Sequence, residues 1–210
     1  MLEAIILDLG GVILNIDYAK TLVAFSQLAG QDISSLYTQH RQIALFDRYE
    51  TGQISSEEFR QGLRSQLALR GTADDAAIDS AWNAMLLDVP PARLDSLAQL
   101  SERFRLFLLS NTNAIHKAAF EENLEAVFGD AAVLSRQFEA THYSHLMGDR
   151  KPNPTIFQRV VDEQGLIPSQ TLFVDDTAGH LQGAQAVGLQ TIHMAGDLTL
   201  EMLTRQLLIA

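Results

Sequence analysis

A chain of 210 residues is long enough for one sizeable core, or for one core carrying a smaller inserted module. Its formal net charge of −11, with a pI near 4.8, sets it against nucleic acid and anionic membrane surfaces, so neither is an expected partner, and an anionic substrate has to be drawn by a local positive site. The absence of cysteine excludes disulfides, thiolate zinc sites and cysteine nucleophiles, and with no basic stretch leading into an apolar segment, and no apolar run long enough to span a bilayer, the expected setting is soluble and cytoplasmic.

The first apolar run, residues 4–9, reads as a buried strand, yet it contains Asp8 and runs into Gly10 and Gly11. From Tyr18 to about Leu87 only helical patterns follow. Ser55 with Glu58 forms a capping box, and Leu63, Leu67, Ile78, Trp82, Met85 and Leu86 give the apolar faces. Inside this stretch, "DRYETGQISSEE" places Asp47, Gly52, Ile54 and Glu58 at calcium-loop offsets. Tyr49 and Thr51 spoil two ligand positions, so the stretch reads as a helix–turn–helix with Gly52 at the turn. Val89-Pro90-Pro91 marks the return. Strands are then predicted at 105–110, 171–175 and 190–194, with a weaker one at 140–144, and helices at 114–127, at 155–164 and from about Ala178. This alternation predicts a doubly wound α/β fold, a Rossmann-like parallel-sheet core of residues 1–16 and 89–210, with residues 17–88 as an inserted helical cap.

In open α/β sheets, ligands bind beyond the carboxyl ends of the strands. There the sequence places Asp8, then Ser110 and Asn111 in "LLSNTN", then Lys151 in "GDRKPNP", then Asp175 and Asp176 in "FVDD". Two carboxylates ~4 Å apart repel by several kcal/mol at moderate dielectric, so three stay ionised only around a cation. Oxygen-only ligands favour Mg²⁺, which commonly binds substrate phosphate. Ser110 and Lys151 offer a donor and a positive charge to the same phosphate oxygens. Asp8 is then both metal ligand and in-line nucleophile, forming an aspartyl-phosphate.

With "LDLGGVI", "LLSNTN", "RKPNPTIF" and "FVDDTAGHLQGA" in this order, the chain resembles the haloacid dehalogenase-like hydrolase superfamily over nearly its whole length. "SNTNAIH" and "SHLMGDRKPNP" bring it nearest to the small-capped branch with glucose-1-phosphate phosphatase-like members. The resemblance implies Asp8 as nucleophile and Mg²⁺ held by Asp8, the Gly10 carbonyl, Asp176 and, directly or through water, Asp175. It implies Ser110 and Lys151 on the phosphoryl group, with the Asn111 backbone amide assisting. The implied substrate is a small phosphorylated metabolite such as a sugar phosphate.

Two positions depart from the family pattern. Gly10 stands where a second Asp usually protonates the leaving group, and a glycine transfers no proton. The glucose-1-phosphate phosphatase-like members it resembles also carry "DLG" here, so activity is compatible with the glycine; it favours leaving groups that need little help, or a proton from the cap, the substrate or water. His180 stands where relatives often have Asn; four residues after Asp176, it is expected to share a helical face with it, orienting Asp176, simply solvated, or acting as an acid. Asp17, at the cap entrance with Tyr18, is a hinge candidate and a candidate replacement acid. Arg150 either reaches substrate or pairs with a surface acid. His40, His116, His142, His145 and His193 lack metal-ligand spacing and read as structural. A 2-haloacid dehalogenase reaction on Asp8 and a non-catalytic binding protein are the competing readings. The Asp175-Asp176 pair speaks against the first, and retention of Asp8, Lys151 and Asp176 against the second.

Overall fold

Five strands form one parallel sheet in the order β3–β2–β1–β4–β5, with β1 at Ala4–Leu7, β2 at Arg105–Ser110, β3 at Ala140–Tyr143, β4 at Thr171–Asp175 and β5 at Gln190–His193. The computed structural model describes residues 1–34, 44–67, 69 and 73–209; His40 lies outside them. Successive side chains of a strand face opposite ways, and β1 uses both faces. Ile5 and Leu7 pack with α5 (Pro91–Ser101), α6 (Ala114–Phe128) and α10 (Leu200–Ile209), whereas Ala4 and Ile6 pack with α8 (Pro154–Gln164) and α9 (Ala178–Ala186). Burial on both faces is why the strand reads as a continuous apolar run. Each fully buried Leu or Ile contributes about 1.5–3 kcal/mol.

Between β1 and α5 lie α1 (Tyr18–Ala29), α2 (Ala44–Glu50), α3 (Ser56–Gln66) and α4 (Asp75–Asn83). They hold an apolar cluster of their own around Phe25, Phe46, Phe59, Ile78 and Trp82, which also takes in Ile115 of α6. The capping box forms: the Ser55 hydroxyl accepts the Glu58 N–H, and the Glu58 carboxylate accepts the Ser55 N–H. The calcium-loop lookalike is a helix–turn–helix. Gly52 turns at φ 66°, and a Cβ there would lie 2.2 Å from the His145 carbonyl oxygen of α7 (Ser144–Met147). Only glycine allows both the turn and this approach.

The predicted first strand stops two residues early. Gly11 turns the chain back, so that the N–H groups of Ile13 and Leu14 both donate to the Leu9 carbonyl at 2.8 Å. The third and fifth strands end one residue sooner than predicted, and α8 starts one residue sooner, on Pro154, whose fixed φ suits a first helical position. The chain passes from β1 to β2 and β3 on one side, then crosses to β4 and β5 on the other. The crevice at the carboxyl end of β1 is the switch point where such sheets bind ligands.

Candidate active site

Leu7 pairs with Val174 across the β1–β4 ladder, so the next residues, Asp8 and Asp175, emerge side by side. Asp176 follows, and one carboxylate oxygen from each of the three lies within 4.8 Å of the others. The backbone makes room for this. Gly11 has φ 74°, and a Cβ there would sit 2.2 Å from Asp176 Oδ2, so a side chain at this position would collide with the cluster.

Lys151 is fully buried beneath the acids, its Nζ donating to Asp8 Oδ1 and Asp175 Oδ2, both at 2.7 Å. Its backbone is gripped by the Asn111 side chain, whose Nδ2 donates to the Lys151 carbonyl and whose Oδ1 accepts the Lys151 N–H, both at 2.9 Å. The β2 loop is gripped in turn: the buried Ser144 hydroxyl accepts the Thr112 N–H and donates to the Thr112 carbonyl, again at 2.9 Å. Ser110 ends β2 at the same edge and lines the cavity with Asp8, Gly10, Asn111, Lys151 and Asp176. Asp175 lies below them, fully buried, with its oxygens accepting Lys151 Nζ, the Thr177 N–H (2.8 Å) and His180 Nδ1 (3.0 Å).

Burial raises the Asp8 carboxyl well above the usual carboxylate range, and the negative Asp175 and Asp176 add to this against the pull of Lys151. Burial would raise Asp175 as well, but the Lys151 ammonium and the His180 hydrogen bond hold it low. Burial opposes the charge on Lys151, yet Asp175 and Asp8 outweigh it and hold the ammonium form. Asp176 is raised by burial and by Asp175.

His180 corrects one expectation. It bonds Asp175, not Asp176, because α9 begins only at Ala178 and Asp176 is not part of the helical repeat. Asp17 corrects another: its carboxylate caps α1 by accepting the Ala19 N–H at 3.0 Å, and it does not line the cavity. Arg150 pairs with Asp47 and with Glu50 (3.2 Å), both of α2, so it ties the loop that carries Lys151 to the helical segment. His116 is buried against Trp82 with ring centroids 4.4 Å apart. Tyr18, Glu50 and Trp82 bring the helical segment to the cavity wall. No sequence signal marked Glu50 as a wall residue, and Trp82 was legible only as apolar filling.

Fold and site together define the class: a parallel α/β enzyme with an acidic cluster and a buried lysine at the carboxyl edge of its sheet. The family model for haloacid dehalogenase-like hydrolases matches residues 2–188, and the chain belongs to that family. It is 29% identical over 192 residues to a D-ribitol-5-phosphate phosphatase of Bacteroides thetaiotaomicron, covering 91% of each protein. Its fold superposes on a HAD family enzyme from Bacteroides thetaiotaomicron, solved as the wild-type protein in complex with magnesium and inorganic phosphate, with a TM-score of 0.82 and 33% identity over 92% of this chain and 94% of that one. A predicted HAD-like family hydrolase from Porphyromonas gingivalis gives a TM-score of 0.85 at 27% identity, covering 100% of this chain and 99% of that one. Among the described residues, no helix is long and apolar enough to cross a membrane.

Proposed function

We propose that this hydrolase cleaves the phosphate monoester of a small metabolite, such as a sugar phosphate, through an aspartyl-phosphate on Asp8. Residues 17–88 act as a cap over a core of 1–16 and 89–210. The observation that carries the reading is the fully buried Lys151, 2.7 Å from both Asp8 and Asp175, with Asp176 completing a three-carboxylate cluster. The relatives named as a phosphatase and as a complex with magnesium and phosphate support it.

The donor set fits a hard divalent cation. All its donors are oxygens, and three carboxylates face one ammonium. Asp8, the Gly10 carbonyl and Asp176 would hold Mg²⁺, with Asp175 in contact directly or through water. When bound, the ion supplies charge compensation to the phosphoryl oxygens and to the carboxylates. Lys151 holds Asp8 in place and presents positive charge to the phosphoryl oxygens. Asn111 fixes the Lys151 backbone, while its own backbone amide and the Ser110 hydroxyl donate to the phosphoryl group. Asp8 attacks phosphorus in line, the leaving group departs, and water later attacks phosphorus to free the carboxylate. Closure of the helical segment, latched through Arg150 and Trp82, excludes bulk water.

The test is hydrolysis of p-nitrophenyl phosphate with Mg²⁺ and with EDTA, in native protein and in Asp8→Asn. Native protein turns over with Mg²⁺ and stops in EDTA, and the variant is inactive. A variant that keeps its rate removes Asp8 as the nucleophile. Turnover of a 2-haloacid indifferent to EDTA establishes the dehalogenase reaction instead.

A further inference from the structure

The permanent cations in the wall of the cavity above Asp8 are both engaged. Lys151 is held by Asp8 and Asp175, each at 2.7 Å, and Arg150 by Asp47 and by Glu50 at 3.2 Å. Among the described residues no other lysine or arginine lines the cavity, and the His180 ring is held by Asp175. Glu50 lines the cavity itself. It is the last residue of α2 and only 7% exposed, and it comes from the helical segment, whereas its partner Arg150 directly precedes Lys151 in the chain.

Tyr18, the first residue of α1, lies in the field of both acidic groups, the cluster at the sheet edge and Glu50. Burial makes its phenol a weaker acid, and the negative Asp176, Asp8 and Glu50 add to this in that order. The phenol keeps its proton and is a hydrogen-bond donor. Trp82, Met85 and Leu86 supply an apolar face beside these polar groups.

We propose that Glu50, with the Tyr18 phenol beside it, sets the specificity of the cavity: its carboxylate accepts hydrogen bonds from hydroxyls on the part of the substrate beyond the phosphate, and turns away substrates with a second anionic group there. The enzyme then takes neutral polyhydroxylated monophosphates, and not phosphorylated acids or bisphosphates. This rests on the phosphatase reading above and narrows its substrate class. A hydroxyl donates to a carboxylate, whereas a second carboxylate or phosphate has no proton to give and meets only cations that already hold two acids each. In a cavity closed off from bulk water the repulsion between like charges is weakly screened, so it discriminates strongly. Arg150 fixes the Glu50 carboxylate in place without cancelling the charge of the pair of acids it serves, and the apolar face covers the carbon chain between the hydroxyls.

The experiment measures kcat/KM at saturating Mg²⁺ for ribitol 5-phosphate, for ribonate 5-phosphate, in which a carboxylate replaces the far hydroxymethyl group, and for pentyl phosphate, which has no hydroxyls. All three are primary phosphate esters and differ in what lies beyond the ester; p-nitrophenyl phosphate reports the phosphoryl-transfer machinery. Ribitol 5-phosphate is expected to exceed each of the other two alkyl esters by roughly tenfold or more, the scale of a hydrogen bond to a charged group and of a like-charge repulsion. Glu50→Gln should shrink the ribitol to ribonate ratio, and Arg150→Gln, which bares the carboxylate, should widen it. If Glu50 and Arg150 served only to latch the helical segment, both variants would slow all substrates alike. Equal native values for ribitol 5-phosphate and ribonate 5-phosphate, or ratios that stay fixed or move the same way in the two variants, overturn the inference. Turnover of p-nitrophenyl phosphate beside any of these results leaves the phosphatase reading standing, and turnover of that ester alone also overturns the inference. Cleavage of none of the four removes the phosphatase reading and the inference with it. Should a variant fail to fold, shown by loss of p-nitrophenyl phosphate turnover and of the far-UV circular dichroism signal, the native ratios decide.

Discussion

Acidification should loosen the junction between the helical segment and the sheet, and His116 is where the effect is largest. Asn113 Oδ1 accepts two hydrogen bonds, from the Trp82 indole N–H (3.3 Å) and from the His116 N–H (3.0 Å), so the orientation of its amide is fixed. Its Nδ2 therefore faces His116 Nδ1 at 3.2 Å as a donor, and Nδ1 has to accept. The ring proton then sits on Nε2, which donates to the Trp82 carbonyl at 3.1 Å. A second proton on Nδ1 would meet a donor inside a buried pocket. Burial accordingly pushes the imidazole from 6.5 down to about 4, with the Trp82 carbonyl opposing only in part. Because the folded state holds this proton more weakly than the unfolded chain, the stability contribution is complete above pH 6.5 and is lost as pH falls from there toward 4. The loss amounts to about 3 kcal/mol between pH 7 and pH 4. Urea unfolding of the native protein and of His116→Gln at pH 7, 6, 5 and 4 checks this. The variant begins less stable, having lost the Trp82 stack, but loses about 3 kcal/mol less over the range, a difference that cancels the other titrating groups. Parallel stability curves for the two proteins would show that His116 is not a buried neutral imidazole in the folded state.

The remaining expectations concern the acidic cluster and its supports. Mg²⁺ at about 100 times its Kd should stabilise the native protein by about 2.7 kcal/mol, and thermal melts of Asp176→Asn should show little of this gain; equal gains in both would take Asp176 out of the ligand set. Gly11→Ala forces a side chain into the left-handed region against Asp176. It should cost about 1–2 kcal/mol from the backbone alone and weaken the Mg²⁺ response, and an unaltered melt would contradict the collision. Asn111→Ala removes both bonds to the Lys151 backbone and should lower kcat/KM on the order of 10²-fold with far-UV circular dichroism unchanged, since a displacement of about 1 Å in a catalytic group has that effect. Full activity in that variant would mean that the lysine is positioned by its ion pairs alone.

What the sequence made legible, and what it hid, divides along a physical line. Asp8, Asp175 and Asp176 were readable because, although one acid after an apolar run can serve as a helix cap, three at the ends of buried strands point to one edge, and parallel register alone carries Asp8 to Asp175 once Leu7 pairs with Val174. Lys151 was readable only through its company, since one lysine before a proline is as easily a surface residue, and its full burial is a property of the assembled loop. The reading of His180 failed for a local reason: helical spacing was counted from Asp176, whereas the helix starts two residues later and the imidazole reaches back to the last strand residue. Glu50, Trp82 and Ile16 were hidden for a different reason. Each obeys the same apolar or helical pattern as neighbours that never approach the cavity, and only the docking of α1–α4 on the sheet edge decides which of them line it. At Gly10 the sequence records the loss of a carboxyl group and points to leaving groups that need little protonation, or to a proton from elsewhere. The three-dimensional arrangement adds that a side chain at position 10 would meet Ile16, with its Cβ 2.3 Å from Ile16 Cδ1, a neighbour that lies six residues on and that no local pattern ties to position 10.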